Sequence, residues 1–136
     1  MIEVTEKAID PRAITAVVDR DTNGAVVTFM GVIRGQSEGK RVIHLEYEAY
    51  KNMAREKLEQ VVGEIRERWH LEDISMIHRV GRIPPGEVAV AISVAAPHRR
   101  EAFEACSYAI DRIKEIVPVW KKEIFGDGGK WVGVHN

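Results

Sequence analysis

The feature that most constrains this chain is a long amphipathic helix with strand-forming segments on both sides of it. From about Lys51 to Trp69, apolar residues recur at the spacing that places them on one face of a helix. The residues of that face are Ala54, Leu58, Val61, Val62, Ile65 and Trp69. Such a face has to be buried against another element, and a sheet built from the flanking segments offers that surface.

The segments around this helix have the composition of β-strands, because they are rich in β-branched and aromatic residues or alternate between apolar and polar ones. The predicted strands are 24–34, 42–49, 73–80, 87–96, 119–125 and 130–134. Between the first two, the Gly-rich polar stretch 35–39 is expected to be a mobile loop. The sequence Ile-Pro-Pro-Gly at 83–86 is expected to be a turn.

A second amphipathic helix is expected from about Pro97 to Ile116. It is expected to end there because Pro118 disfavours helix at the residue before it. Its predicted buried stripe consists of Phe103, Cys106, Ile110, Ile113 and Val117. Two main helices among strands in mixed order predict an α+β fold, with the helices packed on one face of a largely antiparallel sheet. No repeat or long linker divides the 136 residues, so we expect a single domain, 1–136.

Composition argues against several classes of function. The formal net charge of −1 is unlike that of a general nucleic-acid binder. No apolar run approaches the roughly 20 residues that cross a bilayer, and residues 1–10 lack the apolar stretch of a signal peptide. The single cysteine, Cys106, excludes an intrachain disulfide. The histidines form no pair at metal-ligand spacing, so we expect no metal, and we also expect no cofactor. The single cysteine, together with the lack of a membrane-crossing run and of a signal peptide, predicts a cytoplasmic protein.

Basic residues stand where the second helix is predicted to begin. His98 and Arg99 lie at a helix N-terminus, where the helix dipole disfavours cations. The conflict is resolved if a phosphate or carboxylate binds there, held by the free backbone N–H groups and the basic side chains. The alternative is that Arg99 and the following Arg100 simply point into solvent, where Glu101 and Glu104 also balance their charge.

Three further basic residues are candidates for the same site. Lys114 lies late in the second helix at the border of its buried stripe, where partial desolvation lowers a lysine pKa, although lysines at such borders usually extend to water. Lys121 shares a strand face with Glu123, while Lys122 shares the other face with Trp120. Arg34 closes a strand and begins a loop, which is a favoured place for binding groups.

Taken together, these segments resemble the large, catalytic subunit family of molybdopterin synthase over nearly the whole chain. The first three signatures are Gly24 to Phe29 with Gly31 and Arg34, then Leu45 to Tyr50 with Met53, then Ile77 to Gly81 with Gly86 and Glu87. The most specific one comprises His98-Arg99, Ala102 to Ala105, Asp111, Lys114, Pro118, Trp120 to Glu123 and Trp131.

The resemblance implies a fold and a reaction. The fold would be an α/β-hammerhead-like domain. The enzyme would transfer sulfur to cyclic pyranopterin monophosphate and so build the dithiolene of molybdopterin. The sulfur would arrive as a thiocarboxylate on the C-terminal Gly-Gly tail of a small ubiquitin-like partner. Two large subunits would form the central homodimer of a heterotetramer.

The resemblance also assigns roles to residues. Arg34, His98 and Arg99 match the family's phosphate-binding positions, part of which the second large subunit can supply. Lys114 matches the principal catalytic lysine and Lys121 the second one, for acid–base or covalent help and for stabilising negative charge respectively. Lys122 and Glu123 match further substrate contacts.

Two other functions use the same residues. A non-catalytic module would bind a phosphorylated metabolite through the basic cluster, and Lys114→Ala would then weaken binding without a separate loss of turnover. An adaptor would use the basic groups for a protein partner alone, and would bind no small molecule.

Overall fold

A computed structural model describes residues 1–126 and 128–134 of the chain. Three helices and nine strands alternate along these residues. In chain order they are β1 (Ile2–Thr5), α1 (Pro11–Val18), β2 (Ala25–Val32), β3 (Gln36–Ser37), β4 (Lys40–Ala49), α2 (Lys51–Trp69), β5 (Ile74–Arg79), β6 (Gly81–Ile83), β7 (Val88–Ala96), α3 (Arg99–Ile116), β8 (Val119–Phe125) and β9 (Gly128–Val134). The expected α+β fold with two main helices is confirmed.

The first sheet has the strand order β1-β5-β7-β2, with β1 parallel to β5 and the other pairs antiparallel. Helices α2 and α3 contribute to one core with this sheet, in which Leu58, Ile65, Ile92 and Ile113 have no more than a trace of exposed surface. Short α1 covers part of the opposite face, where Ile14 packs with residues of β5 and β7. Strands β5 and β7 are buried on both faces, which explains the almost continuous apolar sequence of β7.

The second sheet has the order β3-β4-β8-β9, and β6 pairs with the edge of β4 opposite to β8. A smaller core of Ile33, Val42, Leu45, Ile83, Ala89 and Phe125 joins it to the first sheet. Strands β4 and β8 run antiparallel with Tyr47 opposite Lys121 and Leu45 opposite Glu123. This register carries two of the predicted site residues on one sheet face.

The two main helices follow the sequence prediction closely, with one error. α2 buries the predicted stripe apart from half-buried Trp69, and ends at His70, whose left-handed φ of 57° lets its N–H reach the carbonyl of Arg66. In α3 the side chain of Phe103 was predicted to be buried but is 61% exposed. Small residues occupy the buried face instead, namely Ala102, Ala105, Cys106 and Ala109. They allow α3 to approach the sheet closely, and position 103 lies outside this face.

Three local features differ from the sequence expectation. The stretch 35–39 forms a hairpin with the start of β4 rather than an irregular loop, because Glu38 and Gly39 both have positive φ and form a tight turn between β3 and β4. Ile83 ends strand β6 instead of belonging wholly to a turn. Elements β1 and α1 were not predicted, although Asp10 followed by Pro11 is a helix-start signal: the Asp10 carboxylate accepts a hydrogen bond from the N–H of Arg12.

Candidate functional site

A pocket of about 280 Å³ opens between the second sheet, the end of β2 and the last turns of α3. Four of the predicted residues line it: Arg34, Lys114, Lys121 and Glu123. Its apolar walls come from Phe29, Val32, Ile33, Leu45, Tyr47, Ala89, Val90 and Ile110. Cationic groups on an apolar lining are the usual composition of a site for a small anionic molecule.

Local structure explains why the two lysines meet. α3 ends at Ile116, ahead of Pro118, and β8 begins at Val119, so the chain reverses within a few residues of Lys114. Alternation along β8 then turns Lys121 and Glu123 toward the pocket. Arg34 follows directly on β2, at the start of the β3–β4 hairpin.

The charges of the pocket act on one another. Burial lowers the pKa of Lys121, and the nearby Arg34 and Lys114 lower it further, while Glu123 opposes the shift. The Glu123 side chain lies at the pocket wall, and the residue is only 9% exposed. Three cations therefore surround one carboxylate, which leaves a net positive charge for an anionic ligand.

Arg34 also lines a second, larger cleft of about 870 Å³ on the other side of its side chain. This cleft is walled by the hairpin residues Gly35, Gln36 and Gly39 and by Arg41, Val42 and Pro85. The smaller pocket holds both lysines and is the more enclosed of the two, so we regard it as the centre of the site. Arg41 adds a second guanidinium at the outer cleft, which sequence reasoning did not single out.

His98 and Arg99 do not join this pocket within one chain. They line a separate cleft at the start of α3, together with Gly24, Pro97 and Arg100. A helix rises about 1.5 Å per residue, so Arg99 lies roughly 22 Å along the axis from Lys114. Both side chains are exposed, and His98 Nδ1 lies 4.0 Å from the carboxylate of Glu101.

Lys122 lies on the opposite face of the second sheet. It is paired with Glu46 in the β4–β8 register and is absent from the residues that line the lysine pocket. Its side chain reaches over Gly129 of β9, where a Cβ atom would meet its Cε at 2.6 Å. One chain therefore offers Lys121 and Glu123, but not Lys122, to a ligand in this pocket.

Tyr47 is a pocket residue that sequence reasoning missed. It lies opposite Lys121 in the strand register, and burial followed by the charge of Glu123 raises the pKa of its hydroxyl. Its ring contacts the ring of His78 edge to face at 5.6 Å. Burial lowers the pKa of His78 to about 4, so this histidine is neutral at pH 7. The signal available in the sequence was the alternation of Leu45 and Tyr47 with polar residues, which places both side chains on the buried face of a half-buried strand.

Two further findings concern the described residues 1–126 and 128–134. Within them, no three His, Cys, Asp or Glu side chains are grouped so that they can hold a metal ion. No helix among them is both long and apolar enough to cross a membrane. Cys106 is buried in the main core, which raises the pKa of its thiol to about 11 and makes it a poor nucleophile.

Comparisons with known proteins converge on one family. Residues 4–116 match the family model described as MoaE protein. The molybdopterin synthase catalytic subunit of Bacillus subtilis (strain 168) is 47% identical over 131 residues, which cover 96% of this chain and 83% of the relative. The crystal structure of molybdopterin synthase from Staphylococcus aureus matches with a TM-score of 0.93 and 44% identity, covering 96% of both chains.

A more distant structure shares the fold. It is a chain of a protein–protein complex of subunits 1 and 2 of molybdopterin-converting factor from Helicobacter pylori 26695, with a TM-score of 0.80 and 18% identity. It covers 96% of this chain and 89% of its own. On the closer matches, the chain belongs to the MoaE protein family, as a catalytic subunit of molybdopterin synthase.

Proposed function

We propose that Lys114 and Lys121 are the groups with which this catalytic subunit transfers sulfur to cyclic pyranopterin monophosphate. The observation that carries the proposal is the convergence of Arg34, Lys114 and Lys121 on one small pocket with a single carboxylate, Glu123. An anionic substrate balances that charge, and the apolar walls accept the flat pterin ring.

The sulfur nucleophile comes from the partner in this proposal. In each transfer the thiocarboxylate sulfur forms a bond to a substrate carbon while a carbon–oxygen bond at that carbon breaks, and the oxygen leaves with the phosphate or as water. Hydrolysis of the resulting thioester leaves the sulfur on the substrate as a thiolate and a carboxylate on the partner. Lys114 gives acid–base or covalent help to the attack. Protonated Lys121 stabilises the negative charge that develops. Buried Cys106 has no part in this chemistry.

The substrate phosphate is bound by Arg34 together with His98 and Arg99 of a second copy of the chain. The long separation of Arg99 from Lys114 within one chain supports this division, because a single chain leaves the two basic groups in different clefts. A two-fold dimer that places the start of α3 against the neighbour's lysine pocket makes two complete sites. Lys122 contributes from the back of the sheet, by holding β8 rather than by contacting the substrate.

The partner is a small ubiquitin-like sulfur carrier with a C-terminal Gly-Gly thiocarboxylate. The Helicobacter pylori relative, solved as a complex of two different subunits, supports such an assembly. We propose that two copies of this chain form the central homodimer of a cytoplasmic heterotetramer, with one carrier bound to each copy.

Complementation between two inactive variants tests the shared site. Arg99→Ala and Lys114→Ala are purified separately, mixed, allowed to exchange subunits and assayed with the thiocarboxylated carrier. If Arg99 acts on the neighbour's pocket, each mixed dimer has one intact site, and a 1:1 mixture regains about a quarter of the original turnover. If both residues act within one chain, the mixture stays inactive. Size-exclusion chromatography of differently tagged copies verifies the exchange.

The same assay separates the synthase from a phosphometabolite-binding module. The synthase requires Lys114→Ala to lose product formation while it still binds the pyranopterin phosphate. A binding module instead loses affinity for the ligand and forms no product with any variant.

A further inference from the structure

On the face of β4 and β8 that is turned away from the lysine pocket lies a cleft of about 450 Å³, lined by Glu48, Ala49, Tyr50 and Trp120. Trp120 is paired with Glu48 across β4 and β8, and Tyr50 is the residue directly before α2. The two aromatic rings stand perpendicular, with their centroids 6.4 Å apart. Tyr50 is 70% exposed and Trp120 is 40% exposed, so both offer ring surface to the cleft.

All three functional groups of this cleft present negative potential. The faces of tyrosine and tryptophan rings attract cations through their quadrupoles, and the Glu48 carboxylate adds a full charge. In the part of the chain that the structure describes, no ion pair involves Glu48. Glu48 is itself exposed, and a carboxylate beside two exposed aromatic rings favours a cationic ligand over an apolar or anionic one.

The lysines nearest in sequence are directed elsewhere. Lys51, next to Tyr50, lies 3.6 Å from the carboxylate of Glu6. Lys122 lies on the same sheet face as the cleft, but its side chain reaches over Gly129 of β9, away from β4. Lys121 points into the pocket on the opposite sheet face. Among the described residues, these three lysines therefore leave the cleft to a cation from outside.

We propose that the Glu48–Tyr50–Trp120 cleft binds a lysine or arginine side chain of a partner protein. A long alkyl stem covers the Trp120 ring while the charged head reaches Glu48, as such side chains do on partly apolar surfaces. Exposed tyrosine and tryptophan that surround a basic anchor are typical of the energetic centre of a protein interface. The cleft has only two aromatic walls, which suits a side chain presented by a folded surface better than a free ammonium ion that needs enclosure.

Titration of the purified chain with capped amino acids tests the chemistry of the cleft. The probes are N-acetyl-arginine methylamide and N-acetyl-lysine methylamide, with the neutral N-acetyl-norleucine methylamide as the matched control and choline as a free cation. The readout is the indole N–H signal of Trp120 in a ¹H–¹⁵N NMR spectrum, assigned from its loss in Trp120→Phe. We expect a saturable shift with the arginine and lysine probes, weakened by salt, and at least severalfold weaker binding of norleucine.

Variants complete the test. Glu48→Gln is expected to weaken the arginine probe roughly three- to tenfold, while Glu56→Gln, an exposed carboxylate on α2, leaves it unchanged. Tyr50→Leu weakens it similarly, and Phe103→Leu, an exposed aromatic on α3, does not. Equal binding of norleucine, or an unchanged affinity in Glu48→Gln, overturns the proposal in favour of a merely apolar patch. Tighter binding of choline than of either side-chain probe overturns the choice of a protein partner.

Discussion

Two groups of charged residues in this chain differ in whether their positive and negative charges are matched. Between α2 and α3, Arg112 binds both carboxylate oxygens of Glu64 at 2.8 and 3.0 Å, and the Tyr108 hydroxyl donates to Glu64 at 2.6 Å. The hydrogen bonds from Arg112 and Tyr108 lower the pKa of Glu64 to about 2. In the lysine pocket, by contrast, three cations meet one carboxylate, and burial lowers the pKa of Lys121.

The difference separates structural from functional charge. In the helix cluster each charged group has its partner within the chain, so the cluster joins two helices and leaves nothing for a ligand. In the pocket the cations repel one another, and among the described residues that line it only Glu123 carries a negative charge. A fold tolerates such repulsion where a ligand supplies the missing charge, and for that reason unmatched cations indicate a site more strongly than their number does.

The largest effect is expected from removing the principal lysine. Lys114→Ala should lower turnover with the thiocarboxylated carrier by about a hundredfold or more, because the reacting groups lose a charge positioned at the pocket. Lys114 is exposed, so the free energy of unfolding should change little. The measurement is product formation under saturating carrier, with thermal unfolding of the same sample.

Lys57→Ala on α2 is the matched control, since Lys57 is also helical, lies outside the pocket and donates a hydrogen bond to Gln60. It should retain full turnover. Normal turnover in Lys114→Ala would mean that the unmatched charge in the pocket has no role in the chemistry.

The next effect concerns the pH dependence of turnover. Lys121 carries its charge below its pKa and loses it as pH rises through that pKa, which burial and neighbouring cations have lowered. Turnover should therefore fall on the alkaline side at a lower pH than an ordinary lysine predicts. Glu123→Gln removes the carboxylate that opposes the shift, so its alkaline limb should move to still lower pH and its turnover there should fall roughly tenfold.

The pH–rate profiles of the two proteins provide the measurement. Glu56→Gln, which is remote from the pocket, should keep the original limb. If the alkaline limb of the pH–rate profile does not move in Glu123→Gln, the group whose titration limits turnover is not Lys121.

A smaller effect, on stability alone, is expected from the balanced cluster. Glu64→Gln should reduce the free energy of unfolding by about 1 kcal/mol at pH 7, because the charged hydrogen bonds to Arg112 become neutral ones. Since folding lowers the pKa of Glu64, its contribution is present above the ordinary value of 4.5 and is lost as pH falls toward about 2. Denaturant unfolding at pH 7 and pH 2.5 should show the difference between the two proteins shrinking, while turnover at pH 7 is unchanged.

Sequence patterns predicted the elements that carry the site but not its assembly. The helical period of α2 and the alternation of Lys121 and Glu123 on β8 are local properties, and the structure confirms both. Phe103 was predicted wrongly, because the buried face of α3 is formed by its small residues and position 103 lies outside that face. The distance between Arg99 and Lys114 follows from the length of one helix, whereas the approach of Arg34 to Lys121 depends on strand pairing between distant segments.

Tyr47 provides the finest test of the contrast between the two clusters, because its hydroxyl belongs to the pocket while its ring belongs to the core. Tyr47→Phe keeps the ring against His78 and removes only the hydroxyl near Glu123. If the hydroxyl serves the substrate or the charge of Glu123, turnover should fall about threefold, with unfolding little changed. Tyr108→Phe is the matched variant in the balanced cluster, since it loses a hydroxyl bonded to Glu64. It should show the reverse: a lower free energy of unfolding and unchanged turnover. Loss of stability without loss of turnover in Tyr47→Phe would assign Tyr47 to the fold and restrict the working part of the pocket to its charged residues.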